Sequence, residues 1–277
     1  MRPTWWFGRR RKRSAPVGSM SILAAQGGST EGIAELFRLP PTVHPEPDAS
    51  VGRWVEEALA AQTWATVRSS VPAGFEAYAR VLHPAFSTSA EGRSIRVRWA
   101  DIAASTGRTM HRLAQFERIA AIPDDPSVQP SWGVRPYARG VCDVGTPLMA
   151  VLRANTATAD RCVFGVWEGY GGMDMVPAIA SAARADCPNR GYMLFAGPLD
   201  GFFAFCGMPW EPPSVWWPQD RAWFVATDID LDSTYIGGTS ECIDAILADP
   251  GLEAFPANLD DPIHLGADEV NPPVEPT

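Results

Sequence analysis

Apolar side chains at Val51, Trp54, Val55, Ala58 and Leu59 repeat at the spacing of one helix face, and Ser50 stands where a cap belongs. They predict a helix over residues 50–62. The period then shortens. Residues 66–71 read as a strand, residues 71–74 as a turn, and residues 75–82 as a second strand or short helix that Pro84 ends. Residues 95–99 alternate like a half-buried strand, and helices are predicted over 100–105 and 110–121.

Residues 123–140 are rich in proline and polar side chains, the best place for a subdomain boundary. A helix follows over 147–155, then strands over 162–167, 192–195, 202–205 and 222–231, with a further one at 233–236. Gly237-Gly238 is expected to break that strand, and Thr239 or Ser240 to cap a last helix ending near 248. Strands that gather late, without regular β-α alternation, indicate an α+β fold: a mostly antiparallel sheet with helices on one side. No repeat of 20 to 50 residues exists. The domain boundaries expected are a disordered basic arm over 1–30, one domain over 31–256, and an acidic, proline-rich tail over 257–277.

Charge sharpens this picture. Residues 1–19 hold six basic side chains and no acid, whereas residues 222–277 hold twelve acids and no Lys or Arg. Such a C-terminal field repels phosphate backbones and attracts cationic surfaces, so the folded domain is not expected to bind nucleic acid. Lys12 is the only lysine beside 22 arginines. P-loop, kinase and Schiff-base chemistry all require a lysine, so those classes fall. No apolar run of about 18 residues is present to span a membrane. The arginine pairs near the start resemble a twin-arginine signal, but Ile22-Leu23-Ala24-Ala25 is too short an apolar stretch to complete it. Met20 is therefore a candidate true start. Five cysteines, with no C-x-x-C pair, read as reduced, small apolar residues in a cytoplasmic protein.

The sharpest candidate site is Asp228-Ile229-Asp230-Leu231-Asp232. On a strand, Trp223, Val225, Ile229 and Leu231 would face the core, and the three aspartates would line the opposite face about 6.6 Å apart. An EF-hand loop would need glycine and glutamate where Ser233 and Thr239 stand, so that reading fails. Asp230-Leu231-Asp232-Ser233-Thr234 matches the D-x-D-x-T motif of haloacid-dehalogenase-type phosphatases, but no lysine follows it. A lone D-x-D site for Mg²⁺ or Mn²⁺ stays open; otherwise no cofactor is expected. Glu168-Gly169-Tyr170-Gly171-Gly172 fails the dinucleotide fingerprint at Asp174. The four histidines are scattered. Trp216 and Trp217, neighbours in a proline-rich stretch, read first as core residues; on a strand they must point to opposite faces, and the alternative is that one of them is partly exposed and anchors an interface.

Four blocks carry a resemblance: residues 71–84 from Val71-Pro72-Ala73-Gly74 to His83-Pro84, Trp167-Glu168-Gly169-Tyr170-Gly171, Tyr192-Met193-Leu194-Phe195-Ala196-Gly197-Pro198-Leu199, and Trp216-Trp217-Pro218-Gln219-Asp220-Arg221-Ala222-Trp223 running on to Gly238. Together they resemble an uncharacterised family of proteins from high-GC bacteria over residues 50–256, which implies one folded unit and no known activity. The order of elements is also similar to that of the SUKH superfamily of bacterial immunity proteins, by analogy of architecture alone. Two functions follow as expectations. The first is a protein-binding module of immunity type, in which Asp228, Asp230 and Asp232, with Trp216 and Trp217, dock a basic protein partner. The alternative is a metal-dependent phosphoryl or glycosyl transferase built on the same aspartates. Oligomeric state is not readable.

Overall fold

A computed structural model of the chain describes residues 39–60, 65–125, 127–170, 176–188, 190–208 and 212–274. The basic arm, Gly171-Gly172 and Trp210 lie outside them. The architecture is α+β, with a mostly antiparallel sheet. In chain order, β1 is His44–Pro45, α1 Arg53–Leu59, β2 Ala77–Leu82, β3 Ala85–Thr88, β4 Ser94–Val97, α2 Trp99–Thr106, α3 Phe116–Ala120 and β5 Gly133–Val134. There follow α4 Gly140–Asp143, α5 Gly145–Ala154, β6 Cys162–Trp167, α6 Pro177–Ala180, β7 Arg184–Asp186, β8 Gly191–Gly197 and α7 Phe202–Cys206. The last elements are β9 Val215–Pro218, β10 Phe224–Ala226, β11 Ser233–Gly238, α8 Ser240–Ala248 and β12 Ala254–Pro256.

The large sheet runs β1-β8-β6-β9-β10-β11-β2-β12, with β7 also on β8, and a small sheet runs β4-β3-β5. Both faces of the large sheet are covered, so its strands read as near-continuous apolar runs. Phe164, Phe195, Trp216, Val225 and Ile236 face one way, against Leu148 and Leu152 of α5 and Ile243 and Ile246 of α8. Val163, Leu194, Trp217, Phe224 and Tyr235 face the other, against Val55 and Leu59 of α1. Most helices thus share one face, and α1 takes the opposite one. A third cluster joins Leu82 and Ala85 to Trp99, Ile102, Phe116 and Ile119 beside the small sheet.

Several expected elements differ, each for a local reason. Asp48, not Ser50, caps the first turn by accepting from the Ser50 amide at 2.8 Å. Residues 66–71 form a 3-10 turn over Val67–Ser69. In the stretch 110–121, helix is confined to α3. Residues 202–205 are helical, because Phe202 and Phe205 are buried three apart while Phe203 faces out. Gly237 and Gly238 continue β11 instead of breaking it. A Cβ on Gly237 would meet the Phe75 ring at 2.5 Å, so glycine there admits an aromatic onto the sheet. The acidic C-terminal segment, 257–274, is laid against the body, with Asp261, Ile263, Asp268 and Asn271 buried.

One cysteine expectation is overturned. Cys142 and Cys206 form a disulfide that joins α4 to α7. Cys162 and Cys242 are free and buried, and Cys187 is free and half-buried. Because disulfides persist in oxidising surroundings, the cysteine usage no longer argues for a cytoplasm. Among the described residues no helix is long and apolar enough to cross a membrane.

Candidate functional site

The Asp228–Asp232 segment is a turn rather than a strand. β10 stops at Ala226, and the Asp228 carboxylate accepts from the Asp230 amide at 3.0 Å. An aspartate that binds main chain two residues on reverses the chain, which overrides the apolar-polar alternation. The three carboxylates therefore do not share a face. Asp228 is buried and meets the Arg190 guanidinium with both oxygens, at 2.9 and 3.0 Å. Exposed Asp230 reaches the same guanidinium at 2.7 Å. Asp232 turns the other way, to Arg80 at 3.5 Å.

Arg190 comes from the tight turn between β7 and β8 and also lies over the Trp167 ring, 4.8 Å from its centroid. Burial works against its charge, but the two carboxylates more than offset that, so it holds its proton more firmly than an ordinary arginine. The guanidinium occupies the place between Asp228 and Asp230 that Mg²⁺ or Mn²⁺ would need. Beside it is a cavity of about 20 Å³ lined by Ser70, Cys187, Arg190, Tyr192, Ser214 and Asp228. It has room for about one water molecule. The Ser70 hydroxyl there is buried, with no hydrogen-bond partner among the described residues. Burial pushes the Cys187 thiol up to about 12, and the Glu56 and Asp186 charges add to it, so the thiol stays protonated and unreactive.

A second polar cluster fills the junction of the two sheets. Buried Arg80, on β2, donates to the Ser233 hydroxyl at 2.9 Å and to the Ala114 carbonyl at 2.7 Å, and stacks near Trp99. His83, wholly buried at the bend between β2 and β3, lies 2.8 Å from both the Tyr137 carbonyl and the Thr234 hydroxyl. A carbonyl only accepts, so Nδ1 carries the proton and Nε2 accepts from Thr234. Burial drives the His83 pKa down to about 4 against the pull of Asp232. A Cβ on Gly140 would stand 2.6 Å from that of His83, so the start of α4 packs directly on the histidine. This is the one histidine–hydroxyl pair of this cluster. Both members are wholly buried.

Part of the acidic C-terminal fifth is paired with side chains from upstream. Asp260 pairs with Arg68, Asp261 with Arg112, and Asp268 with His111. Glu253 accepts from the first two amides of α2, at 2.8 and 2.7 Å, where the helix end favours an anion. Burial alone would raise Asp268, but donors from Asn271, His111 and the Gln115 amide hold it below the ordinary carboxylate range. Part of the charge that is segregated along the chain is thus mixed in space.

Trp216 and Trp217 do point to opposite faces of β9, yet both are buried. Trp216 packs on Phe202 at 4.9 Å, and Trp217 stacks on Phe224 at 5.6 Å. Two covered faces leave neither ring for a partner: the core reading holds, and the alternative of an exposed tryptophan on a docking face is corrected. Among the described residues no group of three or more His, Cys, Asp or Glu comes together to hold a metal.

Comparison with protein-family models, curated proteins and solved structures finds no match to this chain. The site must be read from its own chemistry. One surface that the sequence did not single out stands apart. β4 is an edge of the small sheet, and Ser94, Ile95 and Arg96 are all exposed. Ile95 is 48% exposed, and Val134, on the opposite edge strand β5, is 51% exposed. The alternation at 95–99 was the available signal, but period alone does not tell a half-buried strand from one exposed on both faces.

Proposed function

We propose that the protein is a protein-binding module that receives an extended segment of its partner along β4. The observation that carries this reading is the open edge: β4 pairs with β3 on one side, and no second strand pairs with it among the described residues. A row of unpaired main-chain groups is a template for an added strand. Exposed Ile95 supplies apolar area on this edge. This is also the class of role that the likeness to SUKH immunity proteins implies. The version in which Asp228, Asp230 and Asp232 dock a basic partner loses its support, because Arg190 and Arg80 already engage them.

A photo-crosslinking residue at Ser94 tests the proposal in the source cell. A partner should be captured there, and lost when Ile95→Asp is added but kept with Ala248→Asp on the exposed side of α8. Capture that ignores Ile95→Asp, or no capture from position 94, overturns it.

A further inference from the structure

We infer that the segment accepted by β4 is acidic, with carboxylates alternating with apolar side chains; this rests on the docking reading above. Within β4 the side chains alternate between two faces. Arg96 stands level with Phe86 and Val134 across the small sheet, and Ile95 stands level with Ser87 and Gly133 on the other face. The chain remains extended through Arg98, so Ser94, Arg96 and Arg98 share one face while Ile95 and Val97 share the other.

The charge carried by the strand itself has one sign. From Arg93 to Arg98 there are three arginines and no acid. Arg93 is paired with Glu91 at 3.7 Å. Arg96 donates to the Asp143 carbonyl, and Arg98 to those of Pro250 and Leu252; among the described residues neither forms an ion pair with a carboxylate. Both are exposed, so their remaining N–H groups are open to a partner. An incoming strand sets its side chains beside those of β4, where opposite charges stabilise and like charges destabilise. A second copy pairing through β4 brings no carboxylate to these arginines: centred on Arg96 it sets that arginine against itself, and centred on Ile95 it leaves Arg96 opposite Ser94. Residues 1–19 carry the same positive sign and are excluded on the same ground. The remaining occupant is a segment with Glu or Asp at every second position, beside Arg96 and Arg98, and apolar side chains between them, beside Ile95 and Val97. Such a strand buries Ile95 and provides the guanidinium groups with carboxylate acceptors in one step.

The test uses the full chain and three fluorescent peptides in fluorescence anisotropy: Val-Glu-Val-Glu-Val-Glu, its Val-Lys counterpart and its Val-Thr counterpart. The acidic peptide should bind about tenfold or more tightly than the lysine peptide, from the sum of cross-strand charge pairs, and salt should narrow the gap. Arg96→Glu should reverse the order, a gain that no misfolded variant can produce. Equal binding of all three peptides overturns the acidic partner and leaves strand docking intact. Binding of none of them, with the far-ultraviolet circular dichroism of the chain unchanged, overturns both. An acidic preference that survives Arg96→Glu together with Arg98→Glu places the site elsewhere and overturns the inference.

Discussion

Two regions of this molecule hold themselves together by different means. Inside the large sheet, Trp216, Phe195 and Phe164 meet rings and aliphatic side chains on every side, and contact is adhesive whatever the exact partner. Where the C-terminal segment and the small sheet meet β2, and in the turn after β10, carboxylates, arginines and a neutral histidine answer one another individually. The first region tolerates exchange of one apolar side chain for another of similar volume. The second does not, because a buried charge left without its counterpart is more costly than the pair is worth. Stability in the first scales with area; in the second it depends on identity.

The largest effect is expected in the first region. Trp216→Ala should cost about 4 kcal/mol, since a wholly buried indole leaves a cavity its neighbours cannot close. Urea denaturation reads it, and a loss below about 1 kcal/mol would mean the sheet interior is loosely packed.

Arg190→Ala should cost about 3 kcal/mol by stranding Asp228 in a buried setting. Adding Asp228→Asn should return a good part of that loss. If the double variant is as unstable as the sum of the singles, the two residues act independently and the contrast drawn above is wrong.

Acid should act through His83. Its folded pKa of about 4 lies below the ordinary 6.5, so between those values the unfolded chain takes up a proton that the folded one refuses. Stability is therefore fully present above about 6.5 and falls as pH drops toward about 4, by about 3 kcal/mol in all. His83→Gln should flatten the slope in this window, as melts at stepped pH will show. An unchanged slope would assign the acid sensitivity to carboxylates.

The smallest effect marks the rim of the second region. Asp260, 86% exposed, pairs with Arg68 at 3.0 Å, and Asp260→Asn should cost less than about 1 kcal/mol and vanish in salt. A loss equal to that of Arg190→Ala would show that burial is not what separates the pairs.

The same division governs what could be read from the residues alone. β6 and α8 were legible because local signals suffice: a short apolar run ending before Gly169, and Thr239 accepting from the Cys242 amide at 3.2 Å. Phe202 and Phe205 misled because four residues do not distinguish a period of two from one of three to four. Asp228 and Asp230 were legible as notable but not as paired. Their arginine lies 38 and 40 residues upstream, and Asp232 meets one 152 residues away. No local pattern encodes which arginine answers which carboxylate, so an acidic face was inferred where the fold has built pairs. The β4 edge was hidden for a related reason: exposure depends on what the rest of the chain leaves uncovered.

The bond between Cys142 and Cys206 closes a ring of chain that contains α5, β6, β7 and β8. A protease that nicks any linker inside this ring makes two fragments that travel as one on a non-reducing gel and part only when a thiol is added. Cleavage outside it releases a piece at once. The ring thus sorts damage by position, and it keeps β6, β7 and β8 tethered to the rest of the chain after a cut.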